Sequence, residues 1–300
     1  MTTVLYTSPY IPGEWIAAHG LEPVRVMPAR AKGAPAALDR QGVCPFVRRL
    51  VASVQVYPGT AAIVMTTTCD QMRRAFDVVT RTGDRPAFLL NVPSTWQSVT
   101  ARRLYREELD RLSAFLVRIG GVRPSEKQLA ESMLACGDAP QALYDGSANA
   151  SLSRTPVALV GGPLCQEDLA VFGLIEASGG YVALDATENG LCGRRLPFDR
   201  RRVRAEPLSE LADAYLDGIR DIGRRPNDEF YVWLLRELAE AGIRGIIVYR
   251  HLWCDLWHAE IERLRARTGL SVLDLDSDDT ERIDSGRNRT RIGAFLEMLT

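Results

Sequence analysis

Three cysteines in this sequence stand at junctions of predicted elements, where their sulfurs could hold a metal centre. Cys69 follows the apolar run 62–65, Cys254 follows the strand-like run 245–249, and Cys44 opens a helical stretch. A thiol at the first turn of a helix lies at the positive end of the helix dipole, which favours the thiolate that binds metals. Iron–sulfur clusters prefer thiolate ligands, usually four of them. The three cysteines therefore predict an iron–sulfur site with one iron left for water, substrate or another ligand.

Two other interpretations of these cysteines remain open. They could be small buried side chains, a common role of cysteine, since the sequence contains no C-x-x-C pair. Zinc is the second metal to consider. Cys254 and His258 lie four residues apart on one predicted helix face, and Cys44 and Cys69 would complete a site of four ligands.

The other cysteines give weaker signals. Cys165 follows the turn 161–164 at a strand-to-helix junction, and it could approach the same centre or simply begin a helix. Cys192 lies in a polar loop and could be an additional ligand or a free thiol. Cys136 lies in a helical pattern close to Met133, which predicts packing in the core.

Charged and aromatic side chains offer two further candidates. Six arginines lie between residues 194 and 204, and Arg194 and Arg195 could contact a phosphate of a ligand such as CoA. A solvated loop is the other interpretation of this segment. Trp253 and Trp257 flank Cys254, and they could exclude water from a cluster or belong to the core.

The order of predicted elements indicates how these residues are positioned. Strand and helix patterns alternate in both halves of the chain, which predicts parallel, Rossmann-like sheets. Between them, the helical patterns 99–119 and 125–144 predict a helical hairpin, and residues 145–155 are the best linker candidate. Further along, 166–178 is predicted as a helix and 186–204 as a long polar loop.

The predicted fold class is therefore α/β, with two Rossmann-like parallel-sheet domains and helical additions. We expect an N-terminal domain of residues 1–150, which includes the hairpin, and a C-terminal domain of residues 151–300. The metal centre is expected in the cleft between them, because ligands of open α/β sheets bind at the carboxyl ends of the strands.

Composition is typical of a soluble globular protein, with 46% hydrophobic and 25% charged residues. A net charge of -1 gives no reason to expect nucleic-acid binding. The first residues lack the basic region and apolar core of a signal peptide, and no apolar run approaches the roughly 20 residues of a membrane span. The sequence thus predicts a cytoplasmic protein that binds no membrane. In that compartment, its six cysteines are expected to be ligands, catalysts or buried small side chains rather than a disulfide framework.

The sequence resembles the 2-hydroxyacyl-CoA dehydratase D-component family, which also contains benzoyl-CoA reductase subunits. The resemblance covers nearly the whole chain. The segments that carry it are, in order, Tyr10-Ile11-Pro12-Gly13-Glu14, Pro23-Val24-Arg25, Cys44-Pro45, Thr67-Thr68-Cys69-Asp70, Gly161-Gly162-Pro163-Leu164, Arg250 with Cys254-Asp255, and Arg289-Thr290-Arg291-Ile292 followed by Ala294-Phe295-Leu296-Glu297. One departure is Pro9, which stands where the active dehydratase subunit tends to carry a small polar residue.

The resemblance implies an oxygen-sensitive [4Fe-4S] cluster held by Cys44, Cys69 and Cys254. It also implies a homologous partner subunit and an ATP-dependent activator that supplies low-potential electrons. Members of the family are lyases that remove water from a 2-hydroxyacyl-CoA, or ATP-dependent reductases of aromatic thioesters. We therefore expect an iron–sulfur subunit acting on a CoA thioester. The alternative is an electron-relay or reductase protein without a CoA substrate, which could bind a larger double-cubane cluster through additional cysteines such as Cys165 or Cys192.

Overall fold

The computed structural model describes residues 2–29, 38, 42–83, 85–136, 154–278, 283 and 285–300. Strands and helices alternate through most of these ranges. Their order is β1 (Thr3–Tyr6), α1 (Gly13–Ala18), β2 (Glu22–Arg25), α2 (Pro45–Val56), β3 (Thr60–Thr66), α3 (Asp70–Thr82), β4 (Ala87–Leu90), α4 (Val99–Arg118), α5 (Glu126–Ala135), β5 (Thr155–Gly161), α6 (Ala170–Ala177), β6 (Gly180–Thr187), α7 (Arg200–Ala205), α8 (Pro207–Gly218), α9 (Asp228–Glu240), β7 (Gly245–His251), α10 (Asp255–Thr268), β8 (Ser271–Ser277) and α11 (Gly286–Leu299).

The strands form two separate four-stranded sheets with the same plan. The first has the order β2-β1-β3-β4 and the second the order β6-β5-β7-β8. All pairings in both sheets are parallel. The predicted fold class, two Rossmann-like α/β sheets with helical additions, is confirmed. The strand before Cys69 and the strand before Cys254 lie in different sheets.

Apolar runs in the central strands explain why each sheet is covered on both faces. In β3, Ala62 and Val64 pack into one core layer, whereas Ile63 and Met65 pack into the layer on the other face. The residues of β7 alternate in the same way between two layers of the second sheet. Strands that are apolar on both faces are typical of parallel sheets with helices on each side.

Helices from both halves of the chain pack onto the first sheet. Side chains of α4 and α8, such as Tyr105 and Tyr215, lie in the same core layer as Val4 of β1. Arg102 of α4 also bonds Asp217 of α8 at 2.7 Å. The predicted domain boundary near residue 150 stays a prediction, because residues 137–153 lie outside the described ranges. The core layer on one face of the first sheet contains side chains from both sides of that boundary, such as Tyr105 and Tyr215.

Three local predictions differ from the structure. The segment 186–204 is not one loop, since β6 continues to Thr187 and α7 begins after Asp199, whose carboxylate accepts the backbone N–H of Arg201 at 2.8 Å. The segment predicted as the helix 166–178 begins as a 3-10 turn, and α6 starts at Ala170. Cys136 is not in the core: it is exposed at the end of α5. Within the described residues, no helix is long and apolar enough to cross a membrane.

Candidate metal centre

Loops from both sheets line one cavity of about 410 Å³. They follow β1, β3, β5 and β7, the strands at which the order of each sheet reverses. Such a topological switch point is where α/β sheets bind ligands, because the loops there diverge and leave a crevice. The volume lies in the range of ordinary ligand sites, roughly 300–1,000 Å³.

The three candidate cysteines all line this cavity. Each is the residue that immediately precedes a helix: Cys44 before α2, Cys69 before α3 and Cys254 before α10. Cys44 is buried, and the other two are half-buried. The structure therefore places cysteines from both sheets on the wall of one cavity, each at the positive end of a helix dipole.

Burial dominates the electrostatics of these thiols. It raises the pKa of Cys44 to about 12, with a further rise from the neighbouring Cys254 and Cys69, and it raises the pKa of Cys69 to about 11. The pKa of Cys254 is also raised by burial. Backbone N–H groups of the first helical turns act in the opposite direction, such as those of Met72 on Cys69 and Trp257 on Cys254. The helix dipole is therefore outweighed in the metal-free protein, whereas a bound cation would deprotonate coordinating thiols.

Comparison with known proteins gives the family. A sequence model of the family described as 2-hydroxyglutaryl-CoA dehydratase, D-component, matches residues 9–148 and 141–299. The chain belongs to this family. The resemblance carried by the cysteine motifs is thus confirmed. No curated protein matches the chain significantly.

Among solved structures, the chain is similar to several metal-binding and laminin-binding proteins at low sequence identity. A Cd-bound periplasmic metal binding protein from candidatus liberibacter asiaticus is 11% identical, with a TM-score of 0.26 and 100% of each chain covered. The SBP FpvC from P. aeruginosa, in complex with a Ni²⁺ ion, is 10% identical, with a TM-score of 0.28 and coverage of 100% of this chain and 96% of that one. The laminin-binding protein Lbp of Streptococcus pyogenes is 12% identical, with a TM-score of 0.26 and 100% of each chain covered. Sequence identities and TM-scores this low give no information about the function of the cavity.

The additional cysteines of this D-component family member lie in different surroundings. Cys192 lines the cavity, and its thiol donates a hydrogen bond to the carbonyl oxygen of Ala186 at 3.0 Å. Burial raises the pKa of Cys192 well above its usual value, and the carboxylate of Asp185 adds to the rise. Cys165 is fully buried in the core layer that contains Cys44. Its sulfur lies within 4.8 Å of ligand-type atoms of Asp168 and His251, so these residues form a second group of metal-binding side-chain types.

The arginine candidates are not equivalent. Arg195 is buried in an ion pair, with its Nε 3.0 Å from Oε1 of Glu14, and its guanidinium stacks on the ring of Phe198. Because the Arg195 guanidinium is already paired and buried, it is a poor candidate for a contact with a CoA phosphate. Arg194 is half-buried near Asp185. The cavity wall itself contains two other arginines, Arg73 and Arg220.

The remaining sequence candidates lie around Cys254. Trp257 is buried in the cavity wall, as expected for a residue that excludes water. Trp253 also lines the cavity but is 39% exposed, and its φ of 69° is unusual for a bulky side chain. His258 is exposed on α10 and lies outside the cavity wall. Its position does not support the zinc alternative.

One wall of the cavity carries two acidic side chains that the sequence pattern does not predict as site residues. Glu188, which follows β6, and Asp221 line the cavity together with Tyr10, whose hydroxyl donates to Oδ2 of Asp221 at 3.3 Å. The guanidinium of Arg224 lies over the Tyr10 ring, 4.7 Å from its centroid. In the sequence, Glu188 is marked only by its position after a strand. The residues around it come from distant parts of the chain, so no local pattern includes them.

The environment of Glu188 predicts a pH-dependent stability. Burial raises the pKa of Glu188 from 4.5 to about 7, against the opposing charge of Arg25. Between these values, the folded metal-free protein binds more protons than the unfolded chain, so its free energy of unfolding falls as the pH rises. Glu188→Gln removes this loss. The melting temperature of the variant, relative to wild type, should therefore increase from about pH 5 to about pH 8.

Thermal unfolding followed by circular dichroism at both pH values measures this difference. Glu107→Gln is the matched control, because it makes the same charge change on the exposed surface of α4, outside the cavity. Equal pH trends in the two variants would contradict the raised pKa of the Glu188 carboxylate.

Proposed function

We propose that this chain is the iron–sulfur subunit of a 2-hydroxyacyl-CoA dehydratase-like or benzoyl-CoA reductase-like system. In this proposal, Cys44, Cys69 and Cys254 hold a [4Fe-4S] cluster that acts on a CoA thioester. The observation that carries it is the convergence of three cysteines, far apart in sequence, on one cavity at the switch points of both sheets. Family membership supports a dehydratase-like subunit.

The donor set fits the cluster. Three soft sulfur ligands favour iron–sulfur clusters over oxygen-ligated metals. Each sulfur lies at the start of a helix, where backbone N–H groups stabilise negative charge: those of Val47 and Phe46 act on Cys44, and that of Trp257 on Cys254. A bound cluster would supply single electrons at low potential. The buried Trp257 would keep water from the sulfurs.

The rest of the cavity supports a substrate-binding role. Glu188, Asp221 and Tyr10 place hydrogen-bonding groups on the wall, where they could orient a hydroxyl or carbonyl group and exchange a proton with it. Cys192 is poorly suited to be a fourth ligand, because its thiol already donates to Ala186 and the surrounding acidic groups oppose its ionisation. We therefore propose that the fourth position of the cluster is open to substrate.

Electron relay is the second candidate function. It is favoured by one observation, the presence of Cys192 on the same cavity wall as the three ligands. If Cys192 completed the ligand set, or joined a larger double-cubane cluster, no position would remain for a substrate. The chain would then only pass electrons or reduce small molecules.

The proposed system needs other components. A low-potential centre requires an energised electron donor, so we propose an ATP-dependent activator and a homologous partner subunit, in the cytoplasm. For the CoA phosphates, Arg73 and Arg220 of the cavity wall are better candidates than the buried Arg195.

Anaerobic purification followed by iron and sulfide quantification tests the proposal. About four of each per chain are expected for one cubane. A redox titration followed by EPR, with and without 2-hydroxyglutaryl-CoA, then separates the two candidates. A signal that changes with the thioester supports the dehydratase-like function, and a signal that ignores it while changing in Cys192→Ser supports the relay. Protein that takes up no iron under reducing, anaerobic reconstitution would contradict both.

A further inference from the structure

A buried ion pair joins the helix that begins after Cys44 to the second half of the chain. Arg49 of α2 is 4% exposed, and its Nη1 lies 3.2 Å from Oδ1 of Asp168, which is 2% exposed. The Nη2 of Arg49 also donates to the backbone carbonyl oxygen of Asp278 at 3.3 Å. One side chain near Cys44 is therefore bonded to two segments of the second half.

His251 forms a second link between the same elements. Its Nε2 donates to the carbonyl oxygen of Pro163 at 2.8 Å, since a carbonyl can only accept, and it lies 3.8 Å from Oδ2 of Asp168. Its ring packs on Phe46, with the two centroids 5.7 Å apart. Phe46 is two residues after Cys44, and His251 is three residues before Cys254. The contact thus ties the Cys44 turn to the end of β7.

The same side chains are not arranged as a second metal site. Cys165, Asp168 and His251 are close enough to share an ion. However, the Asp168 carboxylate is bonded by Arg49 and accepts the backbone N–H of Cys165 at 2.8 Å. A cation next to the Arg49 guanidinium would meet a like charge. The cluster is better explained as a structural connection.

We propose that Arg49, Asp168 and His251 are positioning residues that set the separation between the sulfurs of Cys44 and Cys254. This inference rests on the proposed metal centre. It gives these three residues the role of keeping the Cys44 side and the Cys254 side of that centre at a fixed distance. Removing one partner of a buried ion pair leaves an unpaired charge, which the protein relieves by opening the contact. Metal–sulfur bonds have fixed lengths, so a small opening at this contact removes Cys254 from the ligand set.

The pair Cys44 and Cys69 is held by a different contact. Gln71 of α3 accepts the backbone N–H of Cys44 with its Oε1 at 3.2 Å and donates from Nε2 to the carbonyl oxygen of Gly42 at 3.0 Å. Both cysteines belong to the first half of the chain. Opening the contact between Arg49 and Asp168 should therefore leave a site of two thiolates rather than none.

Anaerobic reconstitution of the reduced, metal-free protein with iron and sulfide measures this difference. The iron and sulfide bound per chain, together with the visible absorption, report whether all three ligands hold a cluster. Wild type should bind about four irons per chain. Arg49→Met, and the double variant Arg49→Met with Asp168→Leu, should bind a small fraction of that, with an affinity roughly 10–100-fold lower. The double variant leaves no unpaired buried charge and so keeps the fold testable. Arg49→Lys, which keeps the charge, should restore part of the affinity.

Glu14→Gln with Arg195→Met is the matched control. Glu14 and Arg195 form an equally buried ion pair between the two halves of the chain, on elements that carry none of the three ligands. This variant should keep the wild-type iron and sulfide content even if it unfolds at a lower temperature. Wild-type cluster content in both Arg49 variants would overturn the inference, as would an equal loss in the control. A wild-type protein that binds no iron under these conditions would instead count against the metal centre itself.

Discussion

Cys69→Ala should abolish cluster binding, so that the iron content falls from about four per chain to a small fraction of that. The variant leaves Cys44 and Cys254, which come from different halves of the chain and depend on a third sulfur from α3 to surround a cluster. Alanine at position 69 also has no sulfur whose negative charge the N-terminus of α3 could stabilise. Iron and sulfide quantification after anaerobic reconstitution, with visible absorption and EPR, measures the loss.

Two cysteine variants serve as controls for this result. Cys136→Ala changes an exposed residue at the end of α5, and Cys165→Ala changes a thiol that is fully buried in the core layer that contains Cys44. Both should keep the wild-type iron content, although Cys165→Ala should lower the free energy of unfolding by about 1 kcal/mol through lost packing. A wild-type cluster signal in Cys69→Ala would show that the ligand assignment is wrong.

The positions of the three cysteines could be inferred from the sequence because parallel sheets constrain where their loops go. In a βα unit, the residue between strand and helix lies at the carboxyl edge of the sheet, and the apolar runs before Cys69 and Cys254 mark those strands clearly. The alternation of elements predicted two such sheets, and the structure confirms them. The helix-start position of each cysteine followed from the same pattern.

What the sequence could not supply depends on contacts between distant segments. The burial of Arg195 in an ion pair could not be predicted, because its partner, Glu14, lies 181 residues away. The pKa of each thiol was expected to fall at a helix N-terminus, but burial, which only the packed structure determines, moves it upward. Helix α7 was missed because its six residues are too few to show a periodic pattern.

Gly161→Ala should strongly destabilise the protein, because the end of β5 has no space for a methyl group. A Cβ at this position would lie 2.0 Å from the backbone carbonyl oxygen of Tyr249 in the neighbouring strand β7. Strand backbones cannot move aside without breaking their pairing, so we expect a loss of about 3 kcal/mol in the free energy of unfolding. The strain would also displace the end of β7, which leads through His251 to Cys254, and should lower the iron content after anaerobic reconstitution.

Gly173→Ala is the same substitution at a position where the structure predicts a gain in the free energy of unfolding instead of a loss. Gly173 is exposed on α6, and its added Cβ would have no atom within 4 Å. Alanine is favoured over glycine in a helix, so this variant should gain about 0.5–1 kcal/mol. Urea denaturation of the metal-free variants measures both effects. Equal midpoints for Gly161→Ala and wild type would mean that β5 and β7 can separate at their ends, and such strands could not hold the Cys254 loop in a fixed position.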